Sequence, residues 1–138
     1  MNTPKEFTNQ MRRSARVAAF LLAALLISFA ALVPGGPVEN RDFSHLSPAT
    51  FNGFNAFLIT LGLIGIVTVV GLWRGRRWAL WLAVMVGWTY VMVVALDLGK
   101  VFPVSPDPTG FALGLIMIVD GILGANAALF AYKGLGAA

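Results

Sequence analysis

One carboxyl group is out of place in this chain. Asp120 sits near the middle of PTGFALGLIMIVDGILGANAALFAYK, residues 108–133, a stretch that is otherwise apolar and has no basic residue before Lys133. A membrane span needs about 20 apolar residues at a rise of 1.5 Å each, and this stretch supplies them. An ionisable group at that depth costs roughly 3 kcal/mol or more, so it must face protein, face water or hold a proton. The chemistry open to a lone buried carboxyl is narrow. It binds a proton or a small cation, or it exchanges a hydrogen bond with a neighbouring helix. Paired intramembrane carboxylates would suggest acid–base catalysis, and none of the other apolar runs carries a carboxyl in its middle.

Depth selects the groups expected to meet Asp120. The second apolar run passes mid-membrane near Thr60, and the third near Trp88, Thr89 and Tyr90. A threonine hydroxyl or the Tyr90 phenol is expected to donate to the carboxylate, or to accept from the acid. On a helical wheel Gly110, Gly114, Gly121, Gly124, Ala125 and Ala128 form one broad small face, with Leu115, Ile118, Ile122 and Leu129 opposite. Small residues let membrane helices approach closely, where the hydrophobic effect gives no drive to associate. Asp120 borders that face and is expected in a helix–helix contact, coupling protons or cations, docking a partner or only fixing the packing. Asn126 lies about 9 Å further on at helical rise, on the aliphatic side, as a second contact or an amide reaching the headgroups.

Three further groupings admit chemistry. Trp78, Trp81, Met85, Trp88 and Met92 recur every three or four residues along the third run. They are a candidate ligand stripe for a lipid, quinone or pigment, though Trp78 and Trp81 also suit an interfacial aromatic belt, and Trp88 is expected inside the bundle. Asn52 and Asn55, with Phe51, Phe54 and Phe57, open the second run and are candidates for an outward pocket. Glu39, Arg41, Asp42, His45, Asp97, Lys100 and Asp107 gather in two loops. Their spacing fits no metal site, and a mutually paired rim is the expectation. The turn holding Arg74, Arg76 and Arg77 is a candidate contact for anionic lipid headgroups.

The elements that must position these residues are legible. Hydrophobic residues make up 58% of the 138 and charged ones only 12%, outside the range of ordinary soluble domains. Four apolar runs account for this, at about 17–33, 51–72, 78–98 and 109–132. They predict a single all-α domain of four transmembrane helices joined by short loops. Pro34-Gly35-Gly36-Pro37 is expected to end the first helix. Ser47-Pro48 reads as an N-cap followed by proline at the first helical position, and helices 2 and 3 are joined by the tight turn WRGRRW. Glycines 62, 65 and 71 give helix 2 its own small set. No internal repeat is visible.

Charge sets the orientation. Lys5, Arg12, Arg13 and Arg16 precede the first run, Arg74, Arg76 and Arg77 fill one turn, and Lys133 ends the last run, leaving Arg41 and Lys100 on the other side. The positive-inside rule then places both termini in the cytoplasm and the protein in a bacterial inner membrane. The first run is longer than a usual signal-peptide core and is expected to be retained. The positive net charge follows from this topology and points to no nucleic acid.

The chain has no cysteine and one histidine, His45, so thiolate metal sites, disulfides and a bis-histidine haem are excluded. Nucleophile elbows, HExxH and phosphate-cradling loops are absent, and neither an enzyme nor a cofactor is expected. The layout resembles the small four-span inner-membrane proteins of bacteria, an architectural likeness that carries over no functional residue. Small multidrug transporters have similar size, but the glutamate they need in the first span has no counterpart here. The leading expectation is a non-catalytic accessory subunit or scaffold packing through the Gly/Ala face of the last helix, against membrane lipids and against another membrane protein or itself. The alternatives are a homo-oligomeric proton- or cation-coupled transporter or channel with Asp120 as coupling site, and a lipid- or isoprenoid-binding protein.

Overall fold

Helix boundaries follow the punctuation of the sequence. The computed structural model describes residues 4–30, 32, 39, 41–103 and 105–137. Within them run α1 (Pro4–Ala30), α2 (Pro48–Trp73), α3 (Arg77–Leu98) and α4 (Phe111–Ala137). All four are long and apolar enough to cross a membrane. The Pro34–Pro37 break lies outside the described residues. α1 starts well before its apolar run, so Arg12, Arg13 and Arg16 stand on its first turns and not in a disordered tail.

Local chemistry fixes the ends. The Ser47 side chain accepts from the Thr50 amide, with Pro48 opening α2, which satisfies an otherwise orphaned donor. α2 ends in a Schellman turn: the Gly75 amide bonds Leu72 O and the Arg76 amide bonds Gly71 O. Gly75 adopts φ +69° to close it, a conformation nearly free for glycine and costly for other residues. α3 ends the same way, with amides of Lys100 and Val101 bonding Asp97 O and Leu96 O. Here, however, the left-handed position is held by Lys100, at φ 57°.

The helices form a ring in the order α1, α2, α3, α4. α4 packs extensively on α1 and α3, α1 touches α3 across the middle, and α2 and α4 are not in contact among the described residues. The closest approach is between α3 and α4. A Cβ on Gly87 would stand 2.5 Å from the Gly124 carbonyl oxygen, and one on Gly124 would stand 2.8 Å from that of Gly87. Ala128 completes this crossing. The small face of the last helix is therefore consumed inside the chain. That holds for its Gly124–Ala128 part: Gly110 has open space around it, and Gly114 meets only Thr109.

The core of the ring includes Leu22, Leu25, Leu80, Val86 and Met117. The outer surface is apolar on every helix, with Phe20, Ile27, Leu63, Trp81, Leu115 and Ile122 among its exposed side chains. One end, carrying residues 39, 41–47, 99–103 and 105–110, is rich in acids; the opposite end carries the arginines of α1 and of the α2–α3 turn.

Candidate functional site: a buried carboxyl and phenol

Asp120 lies at the centre of the bundle, with no exposed surface at all. α3 and α4 run antiparallel through the Gly87–Gly124 crossing, which sets Tyr90 opposite Asp120. The Tyr90 Cβ lies 3.5 Å from the position a Gly124 Cβ would take, and Val94 packs the same way on Gly121. Tyr90 is likewise fully buried. Phe29 of α1 closes one side, its ring edge-on to Tyr90 at 4.9 Å. Ser28, next to it, brings its hydroxyl beside the Asp120 carboxyl, though outside hydrogen-bond geometry, so that both Asp120 oxygens and the Tyr90 hydroxyl are left unbonded.

Three orphaned polar atoms in one place are unusual, since most buried polar groups have a partner. An ionised carboxylate there would be stripped of water with nothing in exchange. A neutral acid would carry one O–H, and a phenol or serine oxygen is able to accept it. A cation would find oxygen donors only, the set hard cations prefer.

Other candidates from the sequence fall elsewhere. Thr60 and Thr89, matched to Asp120 by depth, turn away from it and donate to carbonyls one turn back on their own helices, Ala56 O at 2.8 Å and Met85 O at 2.7 Å. Trp88, expected within the bundle, is half exposed, as are Trp81, Met85 and Met92. The whole stripe is an outward ridge, because these positions lie opposite the Ala83, Gly87 and Tyr90 face that packs inward. Asn126 spends its amide on Ile122 O of its own helix, and Ala125 beside it is half-buried. Arg74, Arg76 and Arg77 are exposed at the basic end.

The acidic end is more ordered than a solvated rim. The Arg41 guanidinium donates to Glu39 Oε2 at 2.6 Å and to Asp97 Oδ1 at 2.7 Å. Further bonds to Glu39 Oε1 and Asp97 Oδ2 make both contacts two-pronged. The bond to Glu39 raises the Arg41 pKa, burial opposes it, and Asp97 adds to the rise. Phe43 lies under the guanidinium at 5.2 Å. The Asp42 amide donates to Asp107 and the Ser105 hydroxyl to Asp42 O, each at 2.7 Å, stitching the two loops together.

Two cavities flank this clamp. An open cleft of about 410 Å³ on its outer side includes Asp42, Phe51 and Asn52. Phe54 lies elsewhere, edge-on to Phe102, and Phe57 faces outward. On the inner side a cavity of about 20 Å³ has Glu39 and Asp97 on its wall together with Phe29, Val94 and Met117. That is room for about one water. From the acidic surface inward, the order is thus cleft, clamp, one-water cavity, an apolar layer, and then Tyr90 with Asp120.

Sequence reasoning missed one member of this arrangement and the burial of another. Ser28 is the only hydroxyl in the apolar part of α1, a signal that was available. Arg41 is one cation among acids, and nothing in its spacing announced that it would be buried.

Residues 14–137 match the family described as a domain of unknown function, DUF8051. No curated protein and no solved structure matches the chain.

Proposed function

The chain belongs to the DUF8051 family, and we propose that it is a small multi-pass membrane protein whose working centre, Asp120 with Tyr90, takes up and releases a proton or small cation. One observation carries this reading: a fully buried carboxyl with neither oxygen bonded, beside a phenol in the same condition. Packing alone gives no reason to leave three polar atoms orphaned at about 1–3 kcal/mol each. A bound proton or cation answers their unmet demand. The cavity under the clamp supports loading from the acidic end. The Lys and Arg asymmetry supports cytoplasmic termini in a bacterial inner membrane, so that loading comes from outside. α1, α3 and α4 of a single chain line the centre, and no second copy is required to enclose it.

The test is infrared difference spectroscopy of the full chain in lipid vesicles, with proton flux followed in the same vesicles. A carboxylic acid band should appear and disappear with pH, and Asp120→Asn should abolish it together with the flux. A band that never titrates, or that survives in Asp120→Asn, would sink the proposal.

A second reading, as an accessory subunit or scaffold, keeps one specific support. The Trp81, Met85, Trp88, Met92 ridge and the Leu115, Ile118, Ile122, Leu129 face are both turned outward. A partner would meet these faces and not the Gly/Ala face, which α3 already fills at Gly124 and Ala128. The same ridge is the surface a bound lipid or isoprenoid would lie along.

A further inference from the structure

At the basic end α1 and the α2–α3 turn enclose a cleft of about 90 Å³ lined by Arg12, Arg16, Trp73, Arg74 and Gly75. We propose that this cleft is a binding site for a phosphate group, as carried by an anionic lipid headgroup or by free phosphate. The inference is independent of the Asp120 centre.

Topology accounts for the presence of arginines at this end, but not for their convergence. Arg13, Arg76 and Arg77 serve the same charge rule without lining the cleft. Arg12 and Arg16 are four apart on one helix face, where like charges repel, and Arg74 is brought to them from another element. Among the described residues no carboxylate pairs with any of the three, and both ion pairs present belong to Arg41. Three arginines lining one cleft, with no ion pair to any of them among the described residues, make a site for an anion.

Its shape and its walls narrow the choice of anion. At about 90 Å³ the cleft has room for a phosphate group. Arginine forks match tetrahedral oxyanions in paired hydrogen bonds. The site is also built on rigid parts. The Arg16 guanidinium lies over the Trp73 ring at 5.2 Å, and Phe20 holds that ring edge-on at 5.6 Å. Gly75, in its left-handed turn, brings the α2–α3 turn into ordinary contact distance of the Arg12 stem. Trp73 and Phe20 are exposed apolar side chains at the end of the spans, the depth at which lipid phosphates lie. The chemistry therefore favours a phosphate that arrives on acyl chains.

The test uses the full chain in neutral detergent micelles, titrated with dioleoyl phosphatidate, with dioleoylglycerol, which differs only in lacking the phosphate, and with inorganic phosphate. Binding is read by native mass spectrometry and by thermal stabilisation. Phosphatidate should bind saturably, one per chain, and dioleoylglycerol should not. The double variant Arg12→Gln/Arg74→Gln should weaken that binding by at least about tenfold, the size of one lost charge-assisted contact. The control Arg76→Gln/Arg77→Gln removes the same charge outside the cleft and should weaken it far less. Saturable binding of inorganic phosphate with the same dependence on Arg12 and Arg74 would keep the site and assign it to a soluble phosphate. Equal losses in the two double variants, or equal binding of phosphatidate and dioleoylglycerol, would overturn the proposal. All four arginines are exposed, and circular dichroism of each variant verifies the fold.

Discussion

At the acidic end one guanidinium is closed between two carboxylates, 2.6 Å from Glu39 and 2.7 Å from Asp97, with almost no surface left to solvent. At the basic end three guanidiniums share one cleft and have no carboxylate among the described residues. The same side chain serves opposite purposes at the two ends. Arg41 has its strong donors committed to the fold, tying residues 39–43 to the end of α3, and has little left to offer a ligand. Arg12, Arg16 and Arg74 have theirs uncommitted. A cation is structural where its partners are built in, and a receptor where they are missing.

The comparison breaks most visibly at Arg41. Replacing it with leucine strands Glu39 and Asp97 as buried charges, and breaking such a pair costs about 3–5 kcal/mol. Unfolding of Arg41→Leu in mixed micelles should show a loss of that size. Adding Glu39→Gln and Asp97→Asn should recover most of it, because no uncompensated charge remains. An Arg41→Leu protein as stable as the parent would mean that the clamp contributes nothing.

A smaller effect separates the two Schellman turns. Gly75→Ala forces a Cβ into the left-handed region and should destabilise by about 1–2 kcal/mol. Lys100→Gly relieves the same conformation at the other end and should stabilise, by less than about 1 kcal/mol after the added chain entropy. The same unfolding assay checks both, and changes of the same sign would refute the comparison.

The smallest effect is a pH dependence at the acidic end. The Ser44 amide holds the Asp42 carboxyl below its usual range. A group with a depressed folded value stabilises above its unfolded pKa, about 4, and that contribution is lost as pH falls through the folded value. Hydrogen-exchange protection of the Ser44 amide, corrected for intrinsic rates, should therefore hold at neutral pH and fall only below about pH 4. Protection that is unchanged on acidification would separate that turn from Asp42 ionisation.

Periodicity and punctuation made the helices legible before any coordinates. Apolar runs too long for a soluble domain, a Ser-Pro start at residue 47 and a Gly in a basic turn are local signals, and local physics acts on them. Which way a residue faces is different. Depth suggested Thr60 and Thr89 as partners for Asp120, yet depth says nothing about azimuth, and both hydroxyls were satisfied by their own helices. Trp88 was misplaced for the same reason: its distance from the interface suggested burial, while Gly87 beside it is the residue that α4 requires. The small face of α4 was visible, but a stripe of glycine and alanine does not say whether its neighbour belongs to the same chain. A lone serine in a membrane helix commonly bonds its own backbone, so Ser28 gave no sign of facing Asp120.

The Gly87–Gly124 crossing bears on all of this in one more way. Where each glycine lacks a Cβ it carries a second α-hydrogen, and each of these points at the carbonyl oxygen of the other residue. That is a reciprocal pair of Cα–H···O contacts, each worth about 0.5–1 kcal/mol. Such contacts contain no ionisable group and no mobile side chain. Neither protons nor salt alter them, so the joint between α3 and α4 does not depend on the charge state of Asp120 one turn away.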